Sequence, residues 1–406
     1  MDAGVIDRVF LDVVYSSYTS SLLDSDEIVR RVWNGMPKFI SPSAGPSMAA
    51  EVSLTAEASL NDETSITAWL NLLTSVIFAQ LKASNSKLPK LRSDSEWTSE
   101  KANVPIRGIT ELKPDAILHI VTTGEPISDP DWTNILAFCE VTRSRKRDNI
   151  EDHLTCHAQF AFAHQPFRRF VPALAIIYKH FVLYIFDRFG VLYTEDYPFT
   201  PANKPLFLRI IYSLMFVPLD YLSIDLSTTY PTNGYSFGGP ITVRVDESEY
   251  VIDNVGCNVF QSNCLQGRAT SCWVVHEPGS DHKLLLKDSW CDKNRKPHEQ
   301  AVYGVLKKAI KEHRAEKKPV PVAIPTIEKA SIIFVDSMHR RFDDTEHVRK
   351  LHTMFEIPQE TTIRQHIRLI LQNVGYPLTD FEFRLELIEA IRDIVSSTRA
   401  TLSIVT

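Results

Sequence analysis

Residues 170–186 form the most apolar stretch of the chain, and Pro172, Lys179 and His180 interrupt it. A membrane helix needs about 20 consecutive, predominantly apolar residues, so this stretch is too broken to span a bilayer and reads as buried strands. Residues 171–178 and 181–186 give two of them. Residues 135–141 give a third, apolar on both faces and therefore central in a sheet. Further strands are expected at 116–122 and 190–194, and helices at 64–82, 148–164 and 205–216. Ile66, Leu70, Leu73, Val76, Ile77 and Leu81 recur at helical spacing in the first helix, and Pro205 opens the last. The order of elements predicts an α/β domain over residues 61–228. Before it, residues 1–60 hold a helical segment near 24–32 and a linker rich in Pro, Ser, Gly and Ala at 41–50. The polar stretch 84–101 reads as a loop.

Residues 229–240, rich in Gly, Pro, Tyr and Ser, mark a domain boundary. A second domain is expected over 240–406, with short strands at 241–245, 257–261, 269–276 and 283–287. A helix at 298–312, a basic Pro-rich stretch at 317–324, a strand at 363–372 and an amphipathic helix at 381–397 follow. Leu385, Leu387, Ile388, Ile391 and Val395 lie on or near one face of that last helix. The fold class is α+β, with an α/β leading domain.

Charge and cysteines narrow the partners. Lys and Arg number 44 against 50 Asp and Glu, a net charge of -6, which argues against nucleic acid as a partner of the whole chain. Cys139, Cys156, Cys257, Cys264, Cys272 and Cys291 are scattered without CxxC spacing and read as reduced thiols. Asp2, Asp7 and Asp12 break up the N-terminal apolar residues, so no secretory signal is read there. An intracellular protein, cytoplasmic or nuclear and without a membrane partner, is expected.

Two constellations carry chemistry. Lys283-Leu-Leu-Leu-Lys287-Asp-Ser-Trp290 is a strand that reaches a lysine. Gly267-Arg-Ala-Thr-Ser-Cys-Trp273 before it is a turn feeding a strand. Glu299 after it is expected about one to two turns into a helix. Phosphate binding needs backbone N–H groups at a tight turn and a neighbouring lysine held extended by a helix carboxylate. Only Gly267 stands near the turn, so the full G-x-G-x-x-G pattern is not met.

These residues resemble the fungal-type protein kinase family, a diverged branch of the protein kinases. Gly267-Arg268-Ala269-Thr270, Trp273, Leu286-Lys287-Asp288-Ser289-Trp290 and Glu299 carry the likeness. Cys156–Gln165, Arg168-Arg169-Phe170-Val171 and Phe186–Val191 are similar to its leading region. Gly375-Tyr-Pro-Leu378, Phe381 and Glu386-Leu387 are similar to its hinge and the helix beyond. The likeness runs from about Lys113 onward. It implies a kinase-like N-lobe with its hinge and first C-lobe helix, and ATP with Mg2+ as cofactors. It implies that Lys287 contacts the α- and β-phosphates and that Glu299 pairs with it. Gly267 and Arg268 would close the phosphate loop, with Ala269 where the family favours a second glycine. Asn373, Val374 and Gly375 would form the hinge turn beside adenine. The family activity implied is phosphorylation of Ser/Thr. The chain contains no H-R-D triplet and no D-F-G, so the catalytic base and metal-binding loops are missing and no catalytic residue is assigned. It reads either as an incomplete copy of a family member or as a natural pseudokinase-like protein that binds a nucleotide or a partner. The protein substrate is left open.

The second constellation is Pro114-Asp115 at the start of one strand and Glu140-Val-Thr142 at the end of another, flanked by helices. Its order resembles the PD-(D/E)xK nuclease fold, in which two carboxylates at adjacent strand ends share a divalent metal. Thr142 stands where that fold has lysine, with Arg143, Arg145, Lys146 and Arg147 just beyond. The site therefore reads as vestigial, with a metal-dependent nuclease as the alternative. His153 and His157, one helical turn apart around Cys156, lack further zinc-ligand spacing, so no metal site is assigned. Asp187-Arg188 reads as a turn or ion pair, and Trp273 and Trp290 as core.

Overall fold

The computed structural model describes residues 63–83, 95–99, 114–120, 132–142, 148–216, 222–225, 227–230, 240–262, 264–295, 298–317, 325–336, 341–346, 362–372, 374–375, 381 and 383–405. The expected segments at 24–32 and 41–50, the basic run at 143–147, most of the stretches 229–240 and 317–324, and Asn373 lie outside them. The described residues are α+β and fall into two compact units, one reaching to Asp225 and one taking nearly all that follows.

In the first unit, α1 (Glu63–Ala83) buries Ile66, Leu70, Leu73 and Ile77, four of the apolar positions of its helical pattern, and half-buries Val76. β1 (Ser95–Thr98) lies inside the polar stretch that reads as a loop. Trp97 accounts for it. Its ring is buried, its backbone N–H donates to Asn71 Oδ1 at 2.9 Å, and its backbone carbonyl accepts from Asn71 Nδ2 at 2.7 Å. A single aromatic anchor and an amide clamp outweigh the polar composition.

β2 (Ala116–Ile120) and β3 (Ile135–Thr142) extend an antiparallel meander from β1. α2 (Asp148–His164) then crosses over to β4 (Phe170–Ile177), which lies parallel to β3. Parallel neighbours need such a crossover. β5 (His180–Asp187), β6 (Val191–Tyr193) and β7 (Tyr197–Pro198) complete the sheet, in the order β1-β2-β3-β4-β5-β6 with β7 beside β5. Every residue of β4 is buried. Pro172 sits one place before the β3–β4 pairing begins at Phe138–Ala173, so its missing N–H falls outside that ladder. α3 (Lys204–Phe216) closes the unit with its own run of buried apolar side chains.

The second unit contains two principal sheets. β8 (Thr228–Thr229), β9 (Ile241–Val245) and β10 (Ser248–Ile252) form the smaller. β11 (Phe260–Gln261), β12 (Ser271–Val275), β13 (Leu284–Asp292), α4 (Glu299–Ala315), β14 (Ile327–Ile332), the short pair β15 (Phe334–Asp336) and β16 (Arg341–Phe342), β17 (Arg364–Leu371) and α5 (Arg384–Val405) follow. The larger sheet is antiparallel and ordered β11-β12-β13-β17-β14. β9 meets β14 and β17, and β10 meets β12, so the small sheet covers part of it.

Several boundaries differ from the sequence reading. β13 runs on to Asp292 because β17 pairs with it from Leu285, setting Asp288 opposite Arg368 and Asp292 opposite Arg364. The strand expected at 257–261 shrinks to β11, since the Cys257 N–H turns back to the Asn254 carbonyl at 3.1 Å. Ala269 falls outside β12, its φ of +43° being incompatible with a strand. β10 and β14 have no counterpart among the expected strands. α5 starts later and runs further than expected, and its apolar stripe faces outward, with Leu385, Ile388, Ile391 and Val395 exposed. Among the described residues no helix is long and apolar enough to cross a membrane.

Candidate functional site

Alternation along β13 sends Lys287 and Asp288 to opposite faces of the larger sheet. Lys287 stands opposite Cys272 on β12 and Leu369 on β17. Its Nζ donates to Glu299 Oε1 at 2.5 Å, and Arg268 Nη2 donates to the other carboxylate oxygen at 2.9 Å. One carboxylate therefore joins the turn before β12, strand β13 and helix α4. Glu299 is the first residue of α4 rather than one to two turns in. The helix expected from 298 begins at Glu299, so the acid opens its first turn instead of standing deeper in it. An acid in the first turn also complements the helix dipole.

Gly267 has φ +112° and Ala269 φ +43°, so left-handed residues flank Arg268 on both sides. No atom crowds a Cβ built at Gly267, so the backbone angle is what asks for glycine there. At Ala269 the left-handed conformation costs roughly 1–2 kcal/mol that glycine avoids. The Arg268 carbonyl accepts from the Trp290 N–H at 2.7 Å, which pins the turn to β13. Burial pushes the Cys272 thiol up to about 11, against the pull of the Lys287 cation. At the far end of the sheet, the Gln372 N–H donates to the Thr326 carbonyl at 2.9 Å. Val374 and Gly375 follow outside any strand, and Gly375 has open space around it.

The opposite face holds a buried charge cluster that the sequence reading missed. His366 Nε2 lies 2.9 Å from Asp288 Oδ1, and its Nδ1 lies 2.8 Å from Asp343 Oδ2. Both ring nitrogens face carboxylates, so both donate and the ring is an imidazolium. Arg368 Nε donates to Asp288 Oδ2 at 2.7 Å, and its Nη1 donates to Ser227 Oγ. Burial alone would lower the His366 pKa, but the Asp288 charge and the hydrogen bonds to both carboxylates raise it to about 9. Burial alone would raise Asp288, but the charges and hydrogen bonds of His366 and Arg368 hold it at about 2. Trp290 stacks on the imidazolium at 4.6 Å between ring centroids. The sequence signal was His366 and Arg368 at alternate positions of a strand that is apolar at Ile367 and Leu369–Leu371.

In the first unit, the fold brings Asp115 and Glu140 to neighbouring strands. Asp115 Oδ2 accepts the Val141 N–H at 2.7 Å. Glu140 is buried, with His157 Nε2 3.0 Å from Oε1 and His153 Nδ1 3.6 Å from Oε2. Burial, with the nearby Asp115 and Glu140 charges, pushes the Cys139 thiol well up. Thr142 ends β3, its carbonyl accepting the Tyr178 N–H at 2.7 Å. Among the described residues, no group of three or more His, Cys, Asp or Glu side chains is arranged to hold a metal ion.

The remaining sequence candidates have structural surroundings. Asp187 Oδ1 accepts the N–H groups of Phe189 and Gly190, and the Arg188 guanidinium lies over the Phe162 ring. Trp273 and Trp290 are both buried, and Trp273 Nε1 donates to the Val255 carbonyl at 3.0 Å. All six cysteines are free thiols.

A family model described as fungal protein kinase matches residues 113–403, well over half of the 406-residue chain. No curated protein and no solved structure matches the chain.

Proposed function

The chain belongs to the fungal protein kinase family, and from that membership we propose that its second unit binds ATP at the Lys287–Glu299 pair. The observation that carries this reading is the 2.5 Å contact between the two side chains. It joins a strand lysine to a helix carboxylate, the pairing that protein kinases need in place to orient the phosphates. The strand order β11-β12-β13-β17-β14, with α4 inserted between β13 and β14, supports a kinase-like N-lobe. Gly375, just past β17, supports a hinge at 373–375.

The residues present fit a nucleotide. Lys287 would hold the α- and β-phosphates, Glu299 would keep that lysine extended, and the turn at Gly267 would cover them. Bound ATP would supply the transferable phosphoryl group, and Mg2+ would neutralise its charge. No step is assigned to the metal; among the described residues no group of three or more His, Cys, Asp or Glu side chains is arranged to hold one. With neither H-R-D nor D-F-G in its 406 residues, this chain binds without transferring. ATP at a hundredfold excess over its Kd should stabilise the wild-type chain by about 2.7 kcal/mol. Thermal denaturation should show that shift and its loss in Lys287→Met. A wild-type chain that ATP does not stabilise would overturn the proposal. Transfer of label from radiolabelled ATP to any acceptor above buffer would overturn the binding-only part.

A second reading concerns the first unit, where topology favours a nuclease-derived scaffold. Helix α1, the meander β1–β3 and the crossover α2 to parallel β4 support it, with Asp115 and Glu140 on adjacent strands. The scaffold is inert in this reading. Glu140 faces two histidines, Asp115 caps a backbone N–H, and Thr142 replaces the lysine. No Mg2+-dependent nicking of plasmid DNA is expected. Nicking by the wild-type chain that disappears in Asp115→Ala would restore the metal-dependent nuclease.

A further inference from the structure

Resting on the nucleotide reading above, we propose that Arg268 is a phosphate-selecting arm, parked on Glu299 until a nucleoside triphosphate draws it away. Its backbone is a fixed base. The Arg268 carbonyl is bonded to the Trp290 N–H at 2.7 Å, and the neighbouring Ala269 is buried in its left-handed conformation. Its guanidinium is the opposite case. The side chain is 46% exposed, and Nη2 holds Glu299 Oε2 at 2.9 Å. An ion pair with so exposed a partner contributes little, because water and salt compete with it.

Lys287 holds the other oxygen of the same carboxylate and is only 19% exposed. Two cations thus share one anion, and the three side chains carry a net positive charge. A triphosphate offers more negative charge than Glu299 and several acceptor oxygens that a guanidinium fork can engage two at a time. The less buried cation is the one that leaves. Lys287 stays on Glu299, so the pair that orients the phosphates is preserved while Arg268 adds a second contact. A nucleoside without phosphates has nothing to draw the arm away. Arg268 therefore raises affinity for ATP over adenosine without touching the base or the ribose.

Calorimetric titration of the full chain with ATP and with adenosine tests this. Arg268→Gln should weaken ATP binding about tenfold, the loss expected when one charge-assisted contact is removed. Adenosine binding should be unchanged, and Arg268→Lys should fall between. Equal ATP affinity in wild type and Arg268→Gln would overturn the proposal and leave the nucleotide site standing. An equal loss for ATP and adenosine would overturn it too, by showing that Arg268 only shapes the turn. A wild-type chain that binds neither ligand would overturn this proposal together with the nucleotide reading. Unliganded melting curves that superimpose for the three chains would show that the substitutions leave the fold intact.

Discussion

Arg168→Met should destabilise the first unit by about 3–5 kcal/mol, enough to leave it largely unfolded under mild denaturant. Arg168 is 1% exposed, and its guanidinium hydrogen-bonds in several directions. Nε donates to Ser223 Oγ, Nη1 to the Ile135 carbonyl and Gln165 Oε1, and Nη2 to the carbonyls of Leu136 and Leu222. These contacts tie the start of β3 to the segment at 222–225 and to the end of α2. Methionine fills much of the same space but leaves the acceptors without those donors in a place water does not reach. Lysine has three donors on one nitrogen and cannot fan out to the same acceptors, so Arg168→Lys should also destabilise. Urea denaturation of the wild type and both variants measures the effect. A loss below about 1 kcal/mol, the net value of a single ordinary hydrogen bond, would refute the assignment.

His366→Gln should destabilise the second unit by about 3–5 kcal/mol near pH 6, and the deficit should shrink as the pH rises. His366 is held at about 9, above its ordinary 6.5, so its charge stabilises the fold fully below about 6.5 and loses that effect as pH rises through about 9. Asp288 is held at about 2, below its ordinary 3.8, so its contribution is complete above about 4 and is lost as pH falls through about 2. The cluster is therefore most stabilising between about pH 4 and 6.5. Glutamine removes the imidazolium and leaves Asp288 and Asp343 facing each other across a neutral amide. Melting temperatures of wild type and variant, taken from about pH 6 to 10, should converge at the alkaline end. A gap that stays constant across that range would show that His366 acts through packing against Trp290 and not through its charge.

Much of this was legible in the sequence. α2 occupies the residues expected of it, and β4 and β5 follow their apolar runs because burial on both faces leaves no other use for them. Lys287 could be singled out because a lysine closing Leu-Leu-Leu is conspicuous and glycine and glutamate flank it in a meaningful order. β1 escaped notice because its stability comes from Asn71, which is distant in sequence. Arg168 and Arg169 were legible only as part of a family-like run, with no hint that Arg168 is buried. The cluster around His366 was half visible. His366 and Arg368, alternating with Ile367 and Leu369 in a strand, ask for buried partners, but nothing local says that Asp288 and Asp343 supply them.

The sequence by itself determined the family, elements such as α2, β4 and β5, and the kinds of charge available: Lys287 beside Asp288, Glu299 behind a proline, His366 and Arg368 two residues apart. Only the tertiary structure decided which carboxylate meets which cation. Side chains on a strand alternate between faces, so the register of β13 against β12 and β17 sorts Lys287 to Glu299 and Asp288 to Arg368. A slip of one residue would exchange the two faces and bury the lysine where the aspartate now sits. That register is held by pairings between residues far apart in the chain, and no local pattern encodes it.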